Sequence, residues 1–175
     1  KTGELLFEVD PASYKIAVEH ARVGLDEARQ QVASLTAAVD AARAGVEVAR
    51  DNVNTTEAQV DAAKANLKLA EAEAARYERL SKSGAGSAET AQKSAAQLLE
   101  ARADLIISEA RVRQAESSLA SAQAGLEQAL ASAATFALGV IGGDQATSLL
   151  VELASDPRLD VRFNAATGLA RQGHP

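Results

Sequence analysis

The sequence predicts an all-α protein: a long antiparallel coiled-coil hairpin, a short helical unit at its base and one residual N-terminal strand. Three observations carry this. First, the chain is 47% apolar but only 3% aromatic, a composition suited to helices that approach closely through small side chains. Second, a seven-residue apolar repeat runs through two long proline-free stretches. Third, the two stretches are separated by "SGAGS", residues 83–87, a helix-breaking run short enough to make the flanking helices antiparallel neighbours.

The opening "KTGELLFEVDP" differs in character from the rest of the chain. "ELLFEV" is a short strand candidate that one strand alone cannot stabilise. Asp10 before Pro11 signals a helix start, with the carboxylate as cap and proline tolerated in the first turn. From Ala12 to about Lys82, one row of the repeat is Val18, Leu25, Val32, Val39, Val46, Val53, Val60, Leu67 and Ala74. The other is Tyr14, Ala21, Ala28, Leu35, Ala42, Ala49, Thr56, Ala63, Ala70 and Tyr77. Alternating spacings of four and three define the a/d seam of a coiled coil. A helix of that span is roughly 105 Å long at 1.5 Å per residue, and its apolar stripe requires a partner.

The second stretch supplies one. Leu98, Leu105, Val112, Leu119, Leu126, Ala133 and Val140 repeat every seven residues, beside Ala101, Ser108, Ala115, Ala122, Ala129 and Phe136. Pairing about the turn places Val140 opposite about Arg29, so the base of the first helix is left without a partner from the second arm. Beyond it, Gly142-Gly143 stops a helix and Asp144 is positioned to cap the next. A short helix is expected over 145–155, ended by Asp156-Pro157, and another over 159–171. The expected divisions are 1–11, a strand remnant; 12–132, the hairpin with its tip at 83–87; and 133–175, the terminal helical unit.

The residues supply little for chemistry. The two histidines, His20 and His174, stand apart from any Ser or carboxylate constellation, and cysteine is absent. No P-loop or dinucleotide fingerprint occurs. We expect no enzyme activity, no cofactor and no metal site. The net charge of −6 comes from interspersed acids and bases, which fits solvated helix flanks better than a nucleic-acid surface. No run of 18 apolar residues occurs, so no membrane span is expected. The lack of any methionine reads as a processed or excised piece.

"GELLFEVDPASYKIAVEHARVGLDEA" resembles the periplasmic adaptor proteins, or membrane fusion proteins, of the HlyD type. The resemblance implies that residues 1–11 are a remnant of a lipoyl-like β-domain and that residues 12 to about 131 form the α-hairpin. Adaptors that engage a TolC-like channel often carry Arg, then Leu four residues on, then Ser seven further. Arg76, Leu80 and Ser87 have those spacings, and the resemblance makes them a channel-docking tip. Read from the residues alone, Arg76 is also ordinary solvated surface and Ser87 also an N-cap for the second helix. Leu80 lies off the seam, between Tyr77 and Ser81, with no evident role inside the hairpin.

Residues 133–173, with "ALGVIG", "DP", "VR" and "AATGLA", resemble a bacterial HEAT repeat of the PBS-lyase type, about one and a half units long. An adaptor would instead return through lipoyl-like strands, so the join is that of a fragment, a natural fusion or an engineered chimera. Together the resemblances imply a non-enzymatic periplasmic segment, anchored to the inner membrane through its parent protein. It would link an inner-membrane transporter to a TolC-like outer-membrane channel and assemble as a homo-oligomer. The alternative is a HEAT-type protein-interaction scaffold with a coiled-coil spacer. The unequal arms further predict that the HEAT-like helices pack on the start of the first helix, around Tyr14, Val18, Ala21 and Leu25. Phe136, Leu150 and Phe163 are the expected contributors.

Overall fold

A computed structural model describes residues 10–173. The described residues form four α-helices and no strand: α1 (Ala12–Lys82), α2 (Ala88–Ile141), α3 (Asp144–Leu153) and α4 (Leu159–Arg171). The protein is all-α. The strand expected within residues 1–11 lies outside the described residues, apart from Asp10 and Pro11. Asp10 Oδ1 accepts a hydrogen bond from the Ala12 N–H at 2.9 Å, the expected cap at the helix start. The chain divides into two compact units, one of residues 1–41 with 128–175 and one of residues 42–127.

The burial pattern follows the heptad. Between Ala28 and Tyr77, every residue of α1 that is not exposed belongs to one of the two predicted rows. Val39, Val46, Thr56, Val60 and Ala63 are the most deeply covered. On α2 the same holds from Leu98 to Ala129, with Ala101 and Ala115 buried. In the unit of residues 42–127, stretches of the two helices lie side by side in opposite senses. Val60 and Val112 line one groove, Thr56 and Ala115 another, and Ala74 and Leu98 a third. Glu71 and Arg102 form an ion pair across the two helices at 3.8 Å. Thr56, the one aliphatic hydroxyl in the predicted rows of α1, turns its oxygen onto the carbonyls of Val53 and Asn52. Its polar atom is thereby satisfied inside an apolar seam.

In the other unit, α3 and α4 pack on the last turns of α2. No helix boundary falls at residue 132. Instead, α2 continues to Ile141, and its covered face broadens to include Ala131, Ser132, Thr135, Phe136, Leu138 and Gly139. Leu150, Val161, Ala165 and Thr135 form the centre. The close approach is made by two glycines. A Cβ placed on Gly139 would stand 2.7 Å from the Gly168 Cα, a distance that only a residue without a side chain tolerates.

Polar contacts then fix α4 along α2. Asn164 donates to Ser132 Oγ at 2.8 Å, Gln128 donates to Asp160 at 3.4 Å, and Gln172 donates to the Leu138 carbonyl at 3.3 Å. The last of these adds a second donor to a carbonyl that already accepts from the Gly142 N–H at 3.1 Å. Pairs 128/160 and 132/164 keep one offset, so α4 runs in the same direction as the end of α2. That helix, α2, is also the one among the described residues that is long and apolar enough, by composition, to cross a membrane. Its residues Thr135, Phe136 and Gly139 are covered here by protein.

Two expectations are corrected. The helical unit does not bury the start of α1: Tyr14 is 66% exposed, Leu25 50%, and Val18 and Ala21 are also exposed. Phe136 and Leu150 are buried as expected, but Phe163 is 69% exposed. The glycine pair determines which face of α4 meets α2, and Phe163 is not on it. At the start of α3, Asp144 does not cap. The N-cap is Gly143 (φ 91°), which has no side chain to serve, and Asp144 stands in the first turn, where its charge favours the helix dipole.

Candidate functional site

The turn between α1 and α2 is built by a short set of hydrogen bonds. The Ala85 N–H donates to the Leu80 carbonyl at 3.0 Å, and the Gly84 N–H donates to the Ser81 carbonyl at 3.1 Å. With Gly84 at φ 73°, this is a Schellman motif, which uses a left-handed residue just past the helix to satisfy the last carbonyls. The Ser83 hydroxyl also donates to the Leu80 carbonyl at 2.9 Å. On the far side, Ser87 Oγ accepts from the Glu89 N–H at 3.2 Å. Ser87 is therefore the cap of α2, with Glu89 in the first turn beside the helix dipole.

Leu80 has a local role that its place off the seam did not suggest. It is half-buried, and a Cβ placed on Gly86 would come within 2.9 Å of the Leu80 Cβ. The chain doubles back over this leucine, which stands at the third position from the end of a Schellman-terminated helix, where an apolar contact often closes the motif. The available signal was a leucine four residues before the glycine that ends the helix. Arg76 is exposed, one helical turn before Leu80, and its guanidinium lies 5.4 Å from the centre of the Tyr77 ring. Lys82 and Glu78 form an ion pair beside it, which holds the Glu78 carboxyl below its ordinary range. The tip thus presents an arginine laid over an aromatic ring, a part of one leucine, and a serine engaged in capping.

Among the described residues, no group of three or more His, Asp or Glu could hold a metal ion. The surface concavities are open grooves along the helices. One is lined by Gln128, Arg158, Leu159, Asp160 and Phe163. Comparison with family models, curated proteins and solved structures finds no match to this chain.

Proposed function

We propose that the chain is a non-enzymatic connector: an antiparallel coiled-coil hairpin, α1 with α2, of the kind found in periplasmic adaptors. In this reading the parent protein oligomerises and links an inner-membrane transporter to a TolC-like outer-membrane channel. Arg76 and Leu80 supply the docking surface, while Ser87 holds the second helix in place beside them. The observation that supports it best is the burial pattern of α1. Covered residues repeat with the heptad as far as Tyr77, and then Arg76 and the outer part of Leu80 are left to solvent at the turn. Where the seam is covered its apolar rows are used between the helices, and Arg76 and Leu80 lie outside those rows at the turn.

The test immobilises the chain and measures capture of a purified TolC-like channel, with thermal melting run in parallel. Arg76→Ala is the cleaner variant, because Arg76 is exposed and off the seam; it should reduce capture and leave melting unchanged. Leu80→Asp should abolish capture and also lower stability somewhat, since Leu80 packs on Gly86. Undiminished capture by both variants, or none by the parent chain, would reject the docking tip.

A second reading has its own support. α3 and α4 pack on α2 through the Gly139–Gly168 approach, as a repeat unit of an interaction scaffold would. Leu159 and Phe163 remain exposed beside a groove. Binding of a protein partner that Phe163→Asp removes and Arg76→Ala does not would favour the scaffold.

A further inference from the structure

Each helix of the unit of residues 42–127 carries a second apolar row on the side away from the shared seam. On α1 it runs from Ala44 to Ala72 at alternating spacings of four and three, and its members other than alanine are Val48, Asp51, Thr55 and Leu69. On α2 it runs from Ala96 to Ala124 at spacings of three and four, with Leu99, Ile106, Arg113 and Ser117 among the alanines. Every residue of both rows is exposed. Five large apolar side chains of this unit are exposed, Val48, Leu69, Leu99, Ile106 and Ile107, and four of them belong to the two rows. Single exposed leucines need no explanation, but large side chains gathered on one heptad-spaced row per helix mark a surface that packs.

The two rows fit each other better than they fit themselves. Laid antiparallel with Asp51 opposite Arg113, they set every large member against a small one. Val48 meets Ser117, Ile106 meets Ala58, Leu99 meets Ala65 and Leu69 meets Ala96. Asp51 and Arg113 are the one acid and the one base of the two rows, and neither has an ion-pair partner among the described residues. The flanks agree with this register. It brings Asp61 to Arg102 and Glu73 to Lys93, while Glu47, which meets Glu116, already holds Arg50 at 3.2 Å. In the register of the covered seam, where Val60 stands by Val112 and Ala74 by Leu98, Glu73 would instead meet Glu100 and Lys68 would meet Arg102. The charges therefore select a stagger of one heptad, about 10 Å. Pairing either row with itself leaves Asp51 or Arg113 opposite an uncharged residue or its own kind.

We propose that the outward row of α1 in one copy of this chain seats the outward row of α2 in a second copy, staggered by one heptad, with Asp51 of the first against Arg113 of the second. The contact joins unlike faces, so each copy keeps one of each free and the contact can repeat. It rests on the antiparallel pairing of α1 with α2 proposed above and gives the oligomerisation in that reading a surface.

Sedimentation of the full 175-residue chain should show a mass that rises with concentration. Asp51→Arg or Arg113→Asp alone should weaken association by about tenfold or more, and the double variant should restore it, since the pair is then only exchanged. Circular dichroism of these variants should be unchanged, because both residues are exposed. The chain has no cysteine, so cross-linking can read the register. Ala62→Cys with Ala103→Cys, on opposite outer faces of one copy, should oxidise to a ladder of multimers. Ala62→Cys with Ala110→Cys, the unstaggered pair, should not. A monomer at every concentration, a double charge variant as weak as the single ones, or a ladder from 62 and 110 alone overturns the inference. So does a dimer that either single-cysteine variant forms as readily, because like faces would then meet. These experiments contain no channel, so their failure leaves the docking tip standing, and a failed channel capture leaves this contact standing.

Discussion

Asp156 sits in the turn between α3 and α4, where its neighbours strongly favour its charged form. Arg158 donates to it three times, from Nε and Nη2 and from its backbone N–H, all at 2.9 Å. The side-chain bonds to Arg158 come first among the causes that hold its carboxyl at about 2, with the backbone bond second. A depressed carboxyl is one whose charged form the folded state prefers, so its contribution is complete above the ordinary aspartate range and is lost as pH falls through about 2. Melting temperature should therefore drop between the ordinary aspartate range and that value, and Asp156→Asn should flatten part of the drop. A parallel fall in both proteins would show that the turn is not where acid acts. Residue-scale detail also reassigns Leu80: an apolar side chain off the seam proved to be the closing contact of a helix end, through Gly84 and Gly86.

At the scale of elements, the decisive feature is where α4 touches α2. The informative pair is Phe136 and Phe163, both aromatic residues within helices and opposite in environment. Phe136 is buried, with the Arg171 guanidinium 5.3 Å from its ring centre. Phe163 is exposed and borders a groove. Phe136→Ala should cost about 3–5 kcal/mol, the usual penalty for emptying a buried aromatic site. Phe163→Ala should change stability by about 0.5 kcal/mol or less, as surface substitutions do. Chemical denaturation of the two variants separates them, and equal losses would mean that Phe163 is packed in solution. The sequence also held a clue to this docking: "AAT" occurs at 133–135 and again at 165–167. That offset of 32 residues is the one at which Asn164 meets Ser132 and Asp160 meets Gln128.

For the molecule as a whole, stability should vary along α1 in step with its cover. The helix is continuous from Ala12 to Lys82, yet residues 12–27 are exposed throughout and residues 39–63 carry the deepest burial. Local opening is easiest where few apolar contacts must be broken. Native-state amide exchange should be slowest around Val39–Ala63 and fastest before Ala28, although both parts belong to one helix. Uniform protection along α1 would show that the open seam is covered in solution, for instance by self-association. The chain has net charge −6, so that experiment is best run near neutral pH, where charge repulsion opposes nonspecific association.

The helices and their apolar faces follow from residue order alone. Gly84, Gly142 and Gly143 all adopt positive φ, so their places in the chain mark helix ends through a conformation other residues avoid. The expected helix over 159–171 is α4 to the residue. The heptad rows identified nearly every covered position of α1, because the side-chain period of a helix ties sequence spacing to facing direction. Which surfaces meet is set by how the helices pack. Periodicity states that a face is apolar and is silent on its partner, so Tyr14, Val18 and Leu25 read the same as Val46 and Val60 while ending in opposite environments. The docking of α4 turned on an approach that composition does not announce, two glycine backbones from residues 139 and 168 in contact. Packing geometry of that kind exists only once both helices are in place, and it left Phe163 in solvent and Phe136 in the core.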